Sequence, residues 1–153
     1  MDIVARINSD IVRVGWSVMA VLGDETAPSF AYSIGLRQSY GHPELAIVGF
    51  DPTMMHELIN TAGLGIRDGA KYQDHDQSDR ILENYAVVFR TVPDETARNW
   101  ARFAFGYGHD AETQLLQMFL PDVAGRFPWS ENCEPTYRDV QSKMIPGVQV
   151  SHS

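Results

Sequence analysis

The run Leu45-Ala46-Ile47-Val48-Gly49-Phe50 is apolar without a break and lies between Pro43 and Asp51. A strand with one wet face alternates polar and apolar residues. An unbroken apolar run of this length marks a strand kept from water on both sides, in the middle of a sheet. A chain that contains such a strand must also supply its neighbours and a covering layer. With 153 residues, 44% of them hydrophobic, there is material for one core of this kind, so 1–153 is read as a single globular domain.

The neighbours can be read nearby. Ser17 to Leu22 is rich in Val and Leu, and Ser29 to Leu36 alternates Phe30, Tyr32 and Ile34 with small residues; Gly23, Asp24 and Pro28 between them make a hairpin turn. Tyr85 to Val92 and Leu115 to Leu120 are further β-formers. Helical spacing of Ile3, Val4, Ile7, Ile11 and Val14 predicts a first helix ending near Gly15. Asp51-Pro52 caps a second, with Met55, Leu58, Ile59 and Ala62 on one face until Gly63 and Gly65. Pro93-Asp94-Glu95 opens a third, carrying Ala97, Trp100, Ala101 and Ala104 on one face with Phe103 beside them, and ending near Gly106 and Gly108. Arg67 to Asp79 has no apolar period and reads as an exposed acidic loop. The proline-rich stretch from Pro121 reads as a long loop, with a loosely structured tail over 142–153. The expectation is an α+β domain: a mainly antiparallel sheet of about five strands, with two to three helices covering one side.

Twelve Lys and Arg against 20 Asp and Glu give a net charge of −8, which repels phosphate backbones and anionic lipid, so neither nucleic acid nor membrane is an expected partner. The single cysteine, Cys133, has no disulfide partner within the chain. The first residues carry no basic stretch, apolar run and cleavage site of a secretory signal. A cytoplasmic protein is expected.

Two segments concentrate special residues. In Gly41-His42-Pro43-Glu44, an imidazole and a carboxylate bracket a stiff proline where a loop enters the central strand; His42 and Glu44 are candidates for an acid–base pair or for contacts to a polar ligand. The plainer alternative has His42 hydrogen-bonding to backbone and Glu44 pairing with an arginine such as Arg37. In Asp122-Val123-Ala124-Gly125-Arg126-Phe127-Pro128-Trp129, Asp122 and Arg126 are placed to salt-bridge across a glycine turn, and Trp129 offers a flat surface for packing or for stacking a planar ligand. The plainer alternative there is a structural clasp over a sheet end.

Other chemistries lack their residues. His56-Glu57-Leu58-Ile59-Asn60 begins like a zinc-protease helix but ends in Asn60 where a second histidine is needed. Asp74, His75, Asp76 and Asp79 lack the glycine turn and terminal glutamate of a calcium loop, so no metal is assigned. No Gly-x-Ser-x-Gly elbow surrounds Ser33. Glu131 and Glu134 flank Cys133 and disfavour its thiolate.

The ordered set Gly15-Trp16, Phe30-Ala31-Tyr32-Ser33-Ile34-Gly35-Leu36, Gly41-His42-Pro43-Glu44-Leu45, Leu116-Gln117, Pro121-Asp122 and Gly125-Arg126-Phe127-Pro128-Trp129 resembles the small bacterial family known as domain of unknown function 4262, over about Gly15 to Gln141. The resemblance implies a bacterial or bacteriophage cytoplasmic protein and a shared pattern including Tyr32, His42, Glu44, Asp122 and Trp129. It brings no activity and no cofactor, and the cofactor is unknown. Met118-Phe119 departs from the tryptophan that many members carry there. Two functions are open. The first is binding of a small polar or anionic, nucleotide-like ligand in a cleft where the two loops converge, with His42 and Glu44 as acid and base and with Tyr32, Asp122, Arg126 and Trp129 as contacts. The second is a non-enzymatic module that binds a protein partner through its acidic surface and its 67–79 loop. A homodimer through an edge strand is compatible with either.

Overall fold

In the computed structural model of the chain, residues 2–146 are described. Helix α1 (Ile3–Val14) is capped by Asp2, whose carboxylate accepts the Ala5 N–H, and it stops at Gly15 in the left-handed conformation. There follow β1 (Ser17–Val21), β2 (Phe30–Ile34), α2 (Leu36–Tyr40), β3 (Glu44–Val48), α3 (Pro52–Arg67), β4 (Gln77–Leu82), β5 (Tyr85–Thr91), α4 (Asp94–Trp100), α5 (Arg102–Gly106), a 3-10 turn (Tyr107–His109), β6 (Leu115–Phe119) and α6 (Pro135–Gln141).

All six strands form one sheet in the order β1-β2-β3-β6-β5-β4. The central apolar run is in the interior of that sheet, and every residue of β3 is buried. Its register with β6 is parallel, with Glu44 beside Leu115 and Ala46 beside Gln117; the other pairings are antiparallel. The fold is thus α+β, but the sheet is mixed. The chain leaves β3 through α3, the β4–β5 hairpin and α4–α5, and this long crossover returns β6 in the direction of β3.

Helices cover both faces, because the sheet is apolar on both. On the first face α3 sets Met55, Ile59 and Ala62 against Ala31, Leu45 and Ile47. On the second, Tyr32, Ile34, Ala46 and Val48 lie under Ile7 of α1 and under Ala97, Ala101 and Ala104 of α4 and α5. The third predicted helix is two short ones. They are broken at the buried Ala101 (φ −103°, ψ 53°), and the small alanines on either side let both press onto the sheet. Three elements go beyond the sequence reading. Strand β4 is an edge with a mostly exposed polar sequence; α2 is barely more than one turn; α6 sits within the segment read as loop. The tail expected over 142–153 lies, from residue 147 on, outside the described residues, while Met144 before it is buried in the second core. Among the described residues no helix is long and apolar enough to cross a membrane.

Close approach of α3 to the start of β1 depends on Gly63. A Cβ there would stand 2.7 Å from the Trp16 ring, which is pinned by its Nε1–H donating to Asn60 Oδ1 at 2.9 Å. Alanine ordinarily gains about 1 kcal/mol over glycine inside a helix. Here overpacking of about 1–3 kcal/mol opposes that gain and is expected to exceed it. Urea denaturation of Gly63→Ala should show a net loss of stability, and a gain would contradict the tight α3–Trp16 packing.

Candidate functional site

Glu44 is the first residue of β3 and fully buried. Its carboxylate accepts four hydrogen bonds: from Ser33 Oγ at 2.7 Å, and from the backbone N–H groups of Gly35, Leu36 and Arg37 at 3.1 Å each. These N–H groups are the unpaired donors at the start of α2, reached because Gly35 takes a positive φ of 108° that turns β2 into the helix. Ser33 in turn accepts the Leu45 N–H at 2.9 Å, so its own proton is committed to Glu44. Burial outweighs the opposing pull of the four donors, and the carboxyl is pushed up to about 7. The Arg37 guanidinium does not reach Glu44; it pairs with Asp110 and Glu112 at 2.7 and 3.1 Å.

His42 is equally occupied. Nδ1 lies 2.8 Å from the Pro43 carbonyl oxygen, and Nε2 accepts the Tyr72 N–H at 2.9 Å. Since Nε2 must accept, the proton is on Nδ1 and the ring is neutral; burial holds its pKa below the ordinary histidine value. The Tyr72 ring stacks on Phe89 at 4.3 Å. His42 therefore joins the chain after α3 to the entry of β3, and neither of its nitrogens is left for proton transfer. A polar cavity of about 610 Å³ beside it is bordered by Tyr40, Lys71, Tyr72 and Gln114.

The second loop lies elsewhere. Because β3 and β6 are parallel, His42 and Glu44 sit at the strand starts, whereas Asp122 follows the far end of β6. Five residues at about 3.3 Å each separate the two ends by roughly 16 Å. The shared cleft expected between the loops is thus not formed, because the parallel register carries them to opposite ends of the central pair. At its own end Asp122 accepts the N–H groups of Ala124, Arg126 and Glu134 and pairs with the Arg126 guanidinium at 3.3 Å. The Arg126 N–H comes first among the causes that hold its pKa low. Trp129 stacks on Phe127 at 5.1 Å and meets the edge of Phe119 and the Arg90 guanidinium. The acidic 73–76 turn also spends its carboxylates on backbone, Asp74 accepting from Thr91 and Asp76 from Gln73.

Tyr32, the remaining expected contact, belongs to a different place. Between the β1–β2 edge and the α4–α5 break lies a recess of about 650 Å³, lined by Met19, Phe30, Tyr32, Trp100, Arg102 and Phe103 among others. Phe30 stacks along Tyr32 at 6.2 Å and receives Trp100 edge-on at 4.8 Å. The Tyr32 hydroxyl oxygen accepts the Phe103 N–H at 3.3 Å. Burial raises its pKa, against the opposing pull of that N–H and of Arg102, so the phenol keeps its proton at neutral pH. Arg102 is exposed and takes part in no ion pair among the described residues. Sequence reading placed Trp100 and Phe103 on a helix without seeing the recess. The available signal was Trp100-Ala101-Arg102-Phe103, two large rings and a cation packed into an otherwise alanine-faced segment.

Two outcomes test the clasp. Glu44→Gln turns an NH₂ donor toward backbone donors and should cost about 3 kcal/mol in urea denaturation; a loss under about 0.5 kcal/mol would contradict the four-donor cap. For His42, the folded pKa lies below the unfolded value of about 6.5, so its stabilising contribution is complete above that pH and declines as pH falls through it. The cost of His42→Ala should accordingly be larger at pH 8 than at pH 5. Equal costs would contradict a neutral, accepting ring.

The chain matches no curated protein and no solved structure. Residues 10–134 match the family model described as domain of unknown function (DUF4262), a span that includes both clasps and the recess. On that match, over most of its length, the chain belongs to the DUF4262 family.

Proposed function

We propose that this domain binds a small, flat molecule carrying an anionic or strongly accepting group, in the recess between the β1–β2 edge and the α4–α5 break. The observation that carries the reading is the joining, in one concavity, of aromatic walls with two uncommitted donors. Phe30, Trp100 and Phe103 supply rings for a planar body, while Arg102 has no ion-pair partner among the described residues and the buried Tyr32 hydroxyl accepts a hydrogen bond without spending its own proton. A volume near 650 Å³ falls within the roughly 300–1,000 Å³ usual for small-molecule sites, which are mostly apolar with a few placed polar groups.

Of the expected contact residues, Tyr32 meets the ligand in this reading. His42 and Glu44 hold one end of the sheet, and Asp122, Arg126 and Trp129 hold the other. In this reading the function is binding, which ring walls and two donors in one concavity serve directly. The alternative, a protein partner met through the acidic surface and the 67–79 loop, has Asp79 exposed there, while Asp74 and Asp76 also accept from backbone N–H groups.

Anilinonaphthalene sulfonate has the required shape, a flat apolar body with one anionic group. Titrated into the native protein, it should bind saturably at one site and quench Trp100 emission. Arg102→Gln should weaken binding about tenfold, the effect of one lost charge-assisted contact, and Tyr32→Phe severalfold. Binding that does not saturate, or that ignores both substitutions, would refute the assignment.

A further inference from the structure

The first 22 residues differ from the rest of the chain. Asp2, Arg6, Asp10 and Arg13 cancel there, so the whole charge of −8 lies beyond Leu22. Six of the nine large apolar side chains left exposed among the described residues also fall there: Ile3, Val4, Val12, Val14, Val21 and Leu22. Single exposed apolar residues mean little, and Val4 and Val12 of α1 turn away from its charged side, but Val21 and Leu22 stand together at one edge of the sheet.

That edge is β1. It pairs with β2 alone, in five consecutive register pairs without a bulge, and Val18-Met19-Ala20-Val21-Leu22 offers neither a charge nor a proline to deter a further strand. The opposite edge, β4, carries Asp79 and Arg80 and breaks register between Ser78 and Leu82. One edge is guarded and the other is open.

We propose that the open edge joins the same edge of a second copy: β1 pairs antiparallel with its counterpart about a two-fold axis, and α1 lies antiparallel beside the partner's α1. The fold leaves room for this arrangement. Arg6 reaches Met19 of β1, while Ile11 abuts Gly35 at the end of β2, so α1 rides between β1 and β2, about half a strand spacing inboard. With the two β1 strands about 4.8 Å apart, the two α1 axes fall about 10 Å apart, a normal helix-packing distance.

The charges choose the partner. Asp2, Arg6, Asp10 and Arg13 follow one side of α1, and an antiparallel copy places Arg6 against Asp10 of the partner subunit and Asp2 against Arg13 of the partner subunit. The first pairing centres on residue 8 and the second midway between residues 7 and 8, less than about 1 Å apart along the helix, so the stripe is close to its own complement when reversed. Copies of a chain with charge −8 repel one another on average, and this neutral edge is where they can approach. Met19 and Val21 border the ligand recess, so the second copy walls it on the edge side. The pairing itself does not depend on any ligand being bound.

Sedimentation equilibrium of the full chain should show a dimer. Val21→Lys, which puts an ammonium into the joined edge, and Arg6→Glu, which faces Asp10 of the partner subunit with like charge, should each weaken dimerisation about tenfold or more. Asp10→Arg should do the same, and the double variant Arg6→Glu, Asp10→Arg, which exchanges both signs, should recover most of the loss. Circular dichroism melts check that each variant folds. Asp10 also accepts from Ser17 Oγ at 2.7 Å and pairs with Arg13 of its own helix at 2.8 Å, so if its variants unfold, Val21→Lys and Arg6→Glu decide the matter. A monomeric wild type, a dimer indifferent to Val21→Lys and Arg6→Glu, or a folded double variant no better than the singles would each overturn the proposal.

Discussion

The architecture rests on a carboxylate taken wholly out of water at the start of the central strand. Glu44 gathers the last turn of β2, the first turn of α2 and the entry of β3 around two oxygen atoms. A buried charge is costly when alone; the donors offset part of that cost, each being itself unsatisfied without the carboxyl, and burial still leaves its pKa raised to about 7. Removing either side leaves the other stranded, which makes the cap specific as well as stabilising. Strand β6 then has a fixed neighbour, and Glu44 N–H donates to Gln114 at 2.8 Å to bring it in parallel.

Asp122 repeats the device at the other end of β6. Buried and acceptor-only, it collects three backbone N–H groups from the loop that closes that end of the sheet. His42 adds a neutral version, accepting a single N–H from the segment after α3. The polar residues that stand out most in the chain thus serve the backbone at both ends of the central pair. The aromatic recess at the β1 edge joins uncommitted donors to ring walls and is built from side chains that look like ordinary core residues.

Much of this was legible in the residues. The unbroken apolar run read correctly as an interior strand, and the caps Asp51-Pro52 and Gly15 placed two helix ends because their chemistry is local. What escaped is set by tertiary context. The parallel register of β3 and β6 depends on a crossover of more than 60 residues, which no local pattern encodes. Strand β4 shows no alternation because its edge position leaves most of it in water. The Gly-His-Pro-Glu segment announced that something polar was needed there, but a carboxylate that binds substrate and one that binds three successive N–H groups look alike in sequence. Trp100, Arg102 and Phe103 looked like helix residues because the break at Ala101, which aims them into the recess, occurs at an alanine with no breaker signal.

The central claim separates a structural clasp at His42 and Glu44 from a binding recess at Tyr32 and Trp100. Amide chemical-shift mapping by ¹H–¹⁵N spectroscopy, with anilinonaphthalene sulfonate added stepwise, addresses both halves at once. Saturable shifts are expected at Phe30, Tyr32, Trp100 and Phe103, with Gly35, Leu36, Arg37 and Tyr72 unmoved. Shifts centred on Tyr72 and the α2 amides, with the recess silent, would contradict the account.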